Sequence, residues 1–134
     1  MEPDMAIGSE PQPRVLIVDD EAPLLHLMSR FVAQLGYEVE TASTGGEAWE
    51  AFSKNPSEFA LVIADLTLPD VSGQELLNRM LQANPSLRLL VCSGYPANTG
   101  VFGGGTAAGF LQKPFLPKML EAAVKELMEG GSPS

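Results

Sequence analysis

The sequence predicts an α/β fold in which a doubly wound parallel sheet of five strands carries helices on both faces. Three observations lead there. The near-continuous apolar runs RVLIV (14–18), FALVIA (59–64) and LRLLVC (87–92) have the pattern of strands buried from both sides. Segments with apolar residues at spacings of three and four lie between them, so strand and helix alternate as successive βα units require. A chain of 134 residues suits one core and is too short for two of ordinary size.

Taken in order, residues 1–13 (MEPDMAIGSEPQP) are rich in proline and acids, lack periodicity and read as a disordered arm or linker. They have neither the basic start nor the apolar segment of a secretory signal. RVLIV is the first strand. The helix after Asp20 has Pro23 in its opening turn, gathers Leu24, Leu25, Met28, Phe31, Val32 and Leu35 on one face, and is stopped by Gly36. YEVETA (37–42) alternates as a strand at a sheet edge does, and the next helix, Thr44 to Asn55, offers Ala48, Trp49 and Phe52 for burial. FALVIA follows as the third strand. Leu76, Leu77, Met80 and Leu81 form the stripe of a third helix that ends at Asn84 and Pro85. LRLLVC and GFLQK (109–113) are the fourth and fifth strands, and the last helix carries Leu116, Met119, Leu120, Ala123, Val124 and Leu127 on its buried face. GGSPS (130–134) reads as a second disordered tail.

The remaining stretch, NTGVFGGGTAAG (98–109), stands where a helix is expected and holds five glycines. Gly103, Gly104 and Gly105 together would cost about 3 kcal/mol relative to alanines in a helix interior. A phosphate-binding loop is excluded, because no Gly-Lys-Ser/Thr opens a following helix. The stretch predicts a short, displaced or mobile fourth helix.

Bulk properties narrow the function. Seventeen acids against eight bases give a net charge of −9 with no Lys/Arg cluster, a surface that repels phosphate backbones and argues against direct nucleic-acid binding. No apolar run is long enough to span a membrane. The lone Cys92 forms no internal disulfide and is expected in the core, so a cytoplasmic location is expected.

The chemistry concentrates at the carboxyl ends of the strands, where open α/β sheets bind ligands. Asp19 and Asp20 follow the first strand, the third ends at Asp65, the fourth at Ser93, and the fifth at Lys113, with Pro114 next. Adjacent carboxylates with a third nearby repel one another unless a cation is supplied, and oxygen ligands on a rim open to water suit Mg²⁺. Asp65 as nucleophile towards a phosphoryl group would give an acyl phosphate, whose charge Mg²⁺, Lys113 and the Ser93 hydroxyl would share. Singly, each residue has a blander reading, as a helix cap or a solvated side chain. Five of them at the ends of four strands favour the joint one.

These residues resemble the receiver domain of two-component response regulators. VLIVDDE, LVIADLTLPDVSG, LLVCSGY and GFLQKPF carry the resemblance, which spans about residues 14–129. It implies a flavodoxin-like sheet of order 2-1-3-4-5. It also implies that Asp65 accepts phosphate from a histidine on a partner histidine kinase or histidine phosphotransfer domain. Asp19, Asp20, Asp65 and the Thr67 backbone carbonyl would hold Mg²⁺, for which Mn²⁺ can substitute. Ser93 and Lys113 would sense the phosphoryl group, and Phe110 would act with Ser93 as the switch. Thr67 and Tyr95 would flank the group, and the Lys113–Pro114 bond would be cis. GFLQKPF further resembles receivers at the C-terminus of hybrid histidine kinases. The family implies self-phosphorylation and self-dephosphorylation, and a monomer or weak dimer is expected.

Rival readings are weaker. A Mg²⁺-dependent phosphatase of the haloacid dehalogenase type needs a general-acid Asp where Thr67 stands. A flavodoxin-like cofactor carrier needs a phosphate loop where the chain has DDEAP. A non-phosphorylated pseudo-receiver would not need Asp65, Lys113 and the acidic pair together.

Overall fold

The computed structural model of the chain describes residues 13–95, 99–103 and 105–129. Five strands, β1 (Arg14–Val18), β2 (Glu38–Ala42), β3 (Phe59–Asp65), β4 (Arg88–Ser93) and β5 (Ala108–Gln112), form one parallel sheet in the order β2-β1-β3-β4-β5. Among the described residues four α-helices flank it: α1 (Ala22–Gln34), α2 (Gly45–Lys54), α3 (Gly73–Ala83) and α4 (Pro117–Met128). This is the doubly wound fold the alternation predicts. Of the predicted arm and tail only Pro13 is described, and its carbonyl accepts the Glu38 N–H at 3.0 Å beside β1.

Side chains that alternate along the strands separate two apolar layers. Leu16, Val18, Val62 and Val91 pack with Phe52 of α2 and with Leu77 and Met80 of α3. Val15, Ile17, Ile63 and Leu90 face the other way and pack with Met28 and Val32 of α1 and with Leu120 and Val124 of α4. Cys92 is buried in this second layer, where desolvation pushes its thiol up to about 12. Trp49 is half-buried, with the Arg79 guanidinium 4.1 Å above its ring.

Two predicted core positions differ. Leu116 and Met119 are 62% and 46% exposed. Leu116 stands outside α4 in extended backbone, and the Met119 sulfur accepts its N–H at 3.5 Å, so the pair folds on itself at the start of the helix.

Between β4 and β5 the described residues hold no α-helix, only the 3₁₀ turn Thr99–Phe102. Phe102 is buried and anchors the turn, Gly103 follows at φ +99°, and the Thr106 hydroxyl donates to the Phe102 carbonyl at 2.9 Å. Residues 98 and 104 of the irregular stretch lie outside the described residues.

Candidate functional site

Parallel register assembles the site. Val18 pairs with Ala64, so Asp19 and Asp65 leave neighbouring strands side by side at the crevice where strand order reverses. Asp65 pairs with Cys92 and Ser93 with Gln112, which sets Ser93 and Lys113 one step beyond. From β5, Lys113 must reach over β4 to β3, two strand spacings of about 4.8 Å each, and a four-carbon stem makes that reach.

The Lys113 ammonium is the hub. It donates to Asp65 Oδ2 at 2.9 Å and to Glu21 Oε2 at 3.2 Å, and it lies 2.8 Å from Asp19 Oδ2. Burial would pull this amine down; the close pairings with Asp19 and Asp65, with Glu21 behind them, outweigh it and hold it above the ordinary lysine value. Lys113 therefore stays charged.

The two inner carboxylates are oriented by local backbone. Asp19 is fully buried and its Oδ1 accepts the Glu21 N–H at 2.9 Å, a turn that leads into α1, where Pro23 suits the first helical turn. Asp65, 3% exposed, accepts the Thr67 N–H at 3.0 Å and the Thr67 hydroxyl at 2.9 Å on Oδ1. Burial raises the Asp19 carboxyl despite the ammonium beside it. Its Oδ2 is buried and has no aligned hydrogen-bond donor, although it forms the ion pair with Lys113.

Asp19, Asp20, Glu21 and Asp65 bring carboxylate oxygens within 4.8 Å of one another. Four carboxylates against one ammonium leave three formal negative charges, and Asp19 Oδ2 is buried beside Lys113 with no aligned hydrogen-bond donor. An all-oxygen set with surplus negative charge, open to water at Asp20 and Glu21, fits a hard divalent cation such as Mg²⁺.

Outside the cluster, Ser93 is buried at the end of β4, and its Oγ accepts the Tyr95 N–H at 3.1 Å. A cleft of about 620 Å³ opens above Asp65, lined by Glu21, Leu24, Thr67, Tyr95, Lys113 and Phe115 among others. Tyr95 is 74% exposed there. Phe110 is half-buried in the apolar layer beneath α2 and α3 and does not line the cleft. The Lys113–Pro114 peptide bond is cis.

The profile of the response regulator receiver domain matches residues 15–125. The chain belongs to the receiver domain family. A receiver of two-component signalling accounts for the strand order, and the acidic cluster fits the family's Mg²⁺-binding phosphoacceptor site. Sensor kinase CckA of Brucella abortus is 33% identical over 86% of this chain, which spans only 12% of that kinase. Chemotaxis protein CheY of Thermotoga maritima is 29% identical over 85% of the chain and 96% of its own length. The crystal structure of a CheY-like receiver from Methanospirillum hungatei is 32% identical, has a TM-score of 0.74, and is matched over 92% of this chain and 99% of that one.

Two residues, one in the cluster and one that braces the loop after Asp65, went unassigned in the sequence. Glu21 is the third acid of the DDE run, a visible signal, but its contact with Lys113 depends on side-chain reach. Asp70 accepts the N–H groups of Gly45 and Gly46 at 2.8 and 2.9 Å, tying the loop after Asp65 to the start of α2. Its partners are distant in sequence, and nothing in the string LPDVSG announces them.

Proposed function

We propose that Asp65 takes a phosphoryl group from a phosphohistidine on a partner histidine kinase or histidine phosphotransfer domain, and that the adduct switches the receiver's conformation. The observation that carries this reading is the single Lys113 ammonium shared between Asp65 at 2.9 Å and Asp19 at 2.8 Å. An Asp65 carboxylate oxygen bonds to phosphorus while the P–N bond breaks and its electron pair leaves with the imidazole. Lys113 then exchanges a carboxylate partner for a more highly charged phosphoryl oxygen. Ser93 already accepts from Tyr95, so its own proton is free to donate to a second phosphoryl oxygen. Asp19, Asp20, Asp65 and the Thr67 carbonyl would hold Mg²⁺, or Mn²⁺ in its place, and the ion would neutralise charge on the transferring group. Thr67 and Tyr95 flank that group, and Phe110 turns inward with Ser93 in the switch.

The boundaries we assign are an arm at 1–13, the receiver at 14–129 and a tail at 130–134, in a cytoplasmic monomer or weak dimer that does not bind nucleic acid itself. The 3₁₀ turn between β4 and β5, where the described residues hold no α-helix, supports a phosphorelay role over control of an output domain. That face offers little regular surface, whereas the strand-end rim and α1 are complete.

Intact-mass measurement after incubation with acetyl phosphate and Mg²⁺ tests the reading. One phosphoryl adduct is expected on the wild type and none on Asp65→Asn. Adducts on both proteins, or on neither, defeat it.

A further inference from the structure

Glu21 is the one member of the acidic cluster that contacts Lys113 from the solvent side. Its side chain is 60% exposed, and its Oε2 is 3.2 Å from Lys113 Nζ at the lip of the cleft over Asp65. Asp19 and Asp65 grip the same ammonium from the buried side. An incoming phosphoryl group enters a cleft that Glu21 lines and competes with Glu21 for Lys113. Both effects oppose a free anion, and they grow with the anion's charge.

We propose that Glu21 sets the preference among phosphodonors, disfavouring small, highly charged donors relative to a phosphoryl group carried on a protein, whose docking draws on contact area as well as charge. The inference rests on Asp65 being the acceptor. No proton is needed at Asp65 in either of two reactions, which differ in donor charge and in leaving group; the ratio of variant to wild type within each donor cancels the leaving group. Acetyl phosphate, doubly charged at neutral pH, transfers its phosphoryl group as the P–O bond breaks and acetate leaves with the electron pair. Phosphoramidate, singly charged, does so as the P–N bond breaks and ammonia leaves.

Glu21→Gln and Glu21→Lys, on a surface position, keep the fold. With Mg²⁺ brought to saturation by separate titration for each protein, adduct formation is followed by intact mass with both donors. Glu21→Gln is expected to raise the rate from acetyl phosphate by about three- to fivefold, the scale of an exposed charge pair. The gain with phosphoramidate should be clearly smaller, Glu21→Lys should extend the trend, and added salt should narrow the gap between proteins. A purely structural role would move both donors by one factor. Equal changes with the two donors, or no rise with acetyl phosphate, overturn the proposal. If the wild type takes no Asp65 adduct from either donor, judged against Asp65→Asn, the acceptor reading fails and this inference fails with it.

Discussion

Asp70 shows how a single carboxylate ties the site's loop to the rest of the molecule. The N–H groups of Gly45 and then Gly46 hold its carboxyl below the ordinary value of 3.8. A depressed folded-state value contributes stability that is complete above 3.8 and is lost as pH falls through the lower folded-state value. Asp70→Ala should therefore melt below the wild type at neutral pH, and the two melting curves should converge in acid below 3.8. Thermal melts by circular dichroism across that range check it, and a difference that persists undiminished at the acid end contradicts the assignment. The same residue marks where the sequence stops speaking. Asp19, Asp20, Asp65 and Lys113 were legible because parallel register converts "last residue of a strand" into a place on one rim. Asp70 and Glu21 act through side-chain contacts that no spacing rule encodes.

Among the elements, strands were legible to within about a residue, because burial on both faces demands an unbroken apolar run and only β2, at the sheet edge, alternates. The lack of an α-helix among the described residues between β4 and β5 was legible for the opposite reason: three successive glycines and no apolar stripe leave a helix nothing to stand on. The packing of α3 was not. Gly73 opens that helix against the end of β3, and a Cβ there would lie 2.6 Å from Leu66 Cα and 2.9 Å from the Leu66 carbonyl oxygen. Both neighbours are backbone, and the Gly73 N–H already bonds to the Leu66 carbonyl at 3.3 Å. Gly73→Ala must push α3 away from the strand that carries Asp65, at about 1–3 kcal/mol for overpacking. Urea unfolding should show a lower midpoint with an unchanged m value. Wild-type stability in the variant would mean that α3 has slack that this contact denies it.

Across the molecule, a net charge of −9 and a rim of four clustered carboxylates work against compactness, so part of the fold's stability is open to cations. Two effects overlap and can be separated. Screening of surface charge responds to ionic strength whatever the cation, whereas occupancy of the acidic site responds to Mg²⁺ itself. The site is built from the ends of β1 and β3, paired strands at the centre of the sheet, so it does not outlast global unfolding and its binding free energy adds to folding stability. At a hundredfold excess over the dissociation constant that linkage is worth about 2.7 kcal/mol. Mg²⁺ should raise the melting temperature of the wild type beyond monovalent salt of matched ionic strength. Asp20→Asn neutralises an exposed carboxylate of the cluster without opening a cavity, so it should abolish the Mg²⁺-specific increment and keep the salt response. Differential scanning calorimetry in Mg²⁺, in matched salt and in chelator reads both. An equal Mg²⁺ increment in wild type and variant would remove Asp20 from the ligand set, and no increment in either would leave the four carboxylates without the cation that their geometry fits.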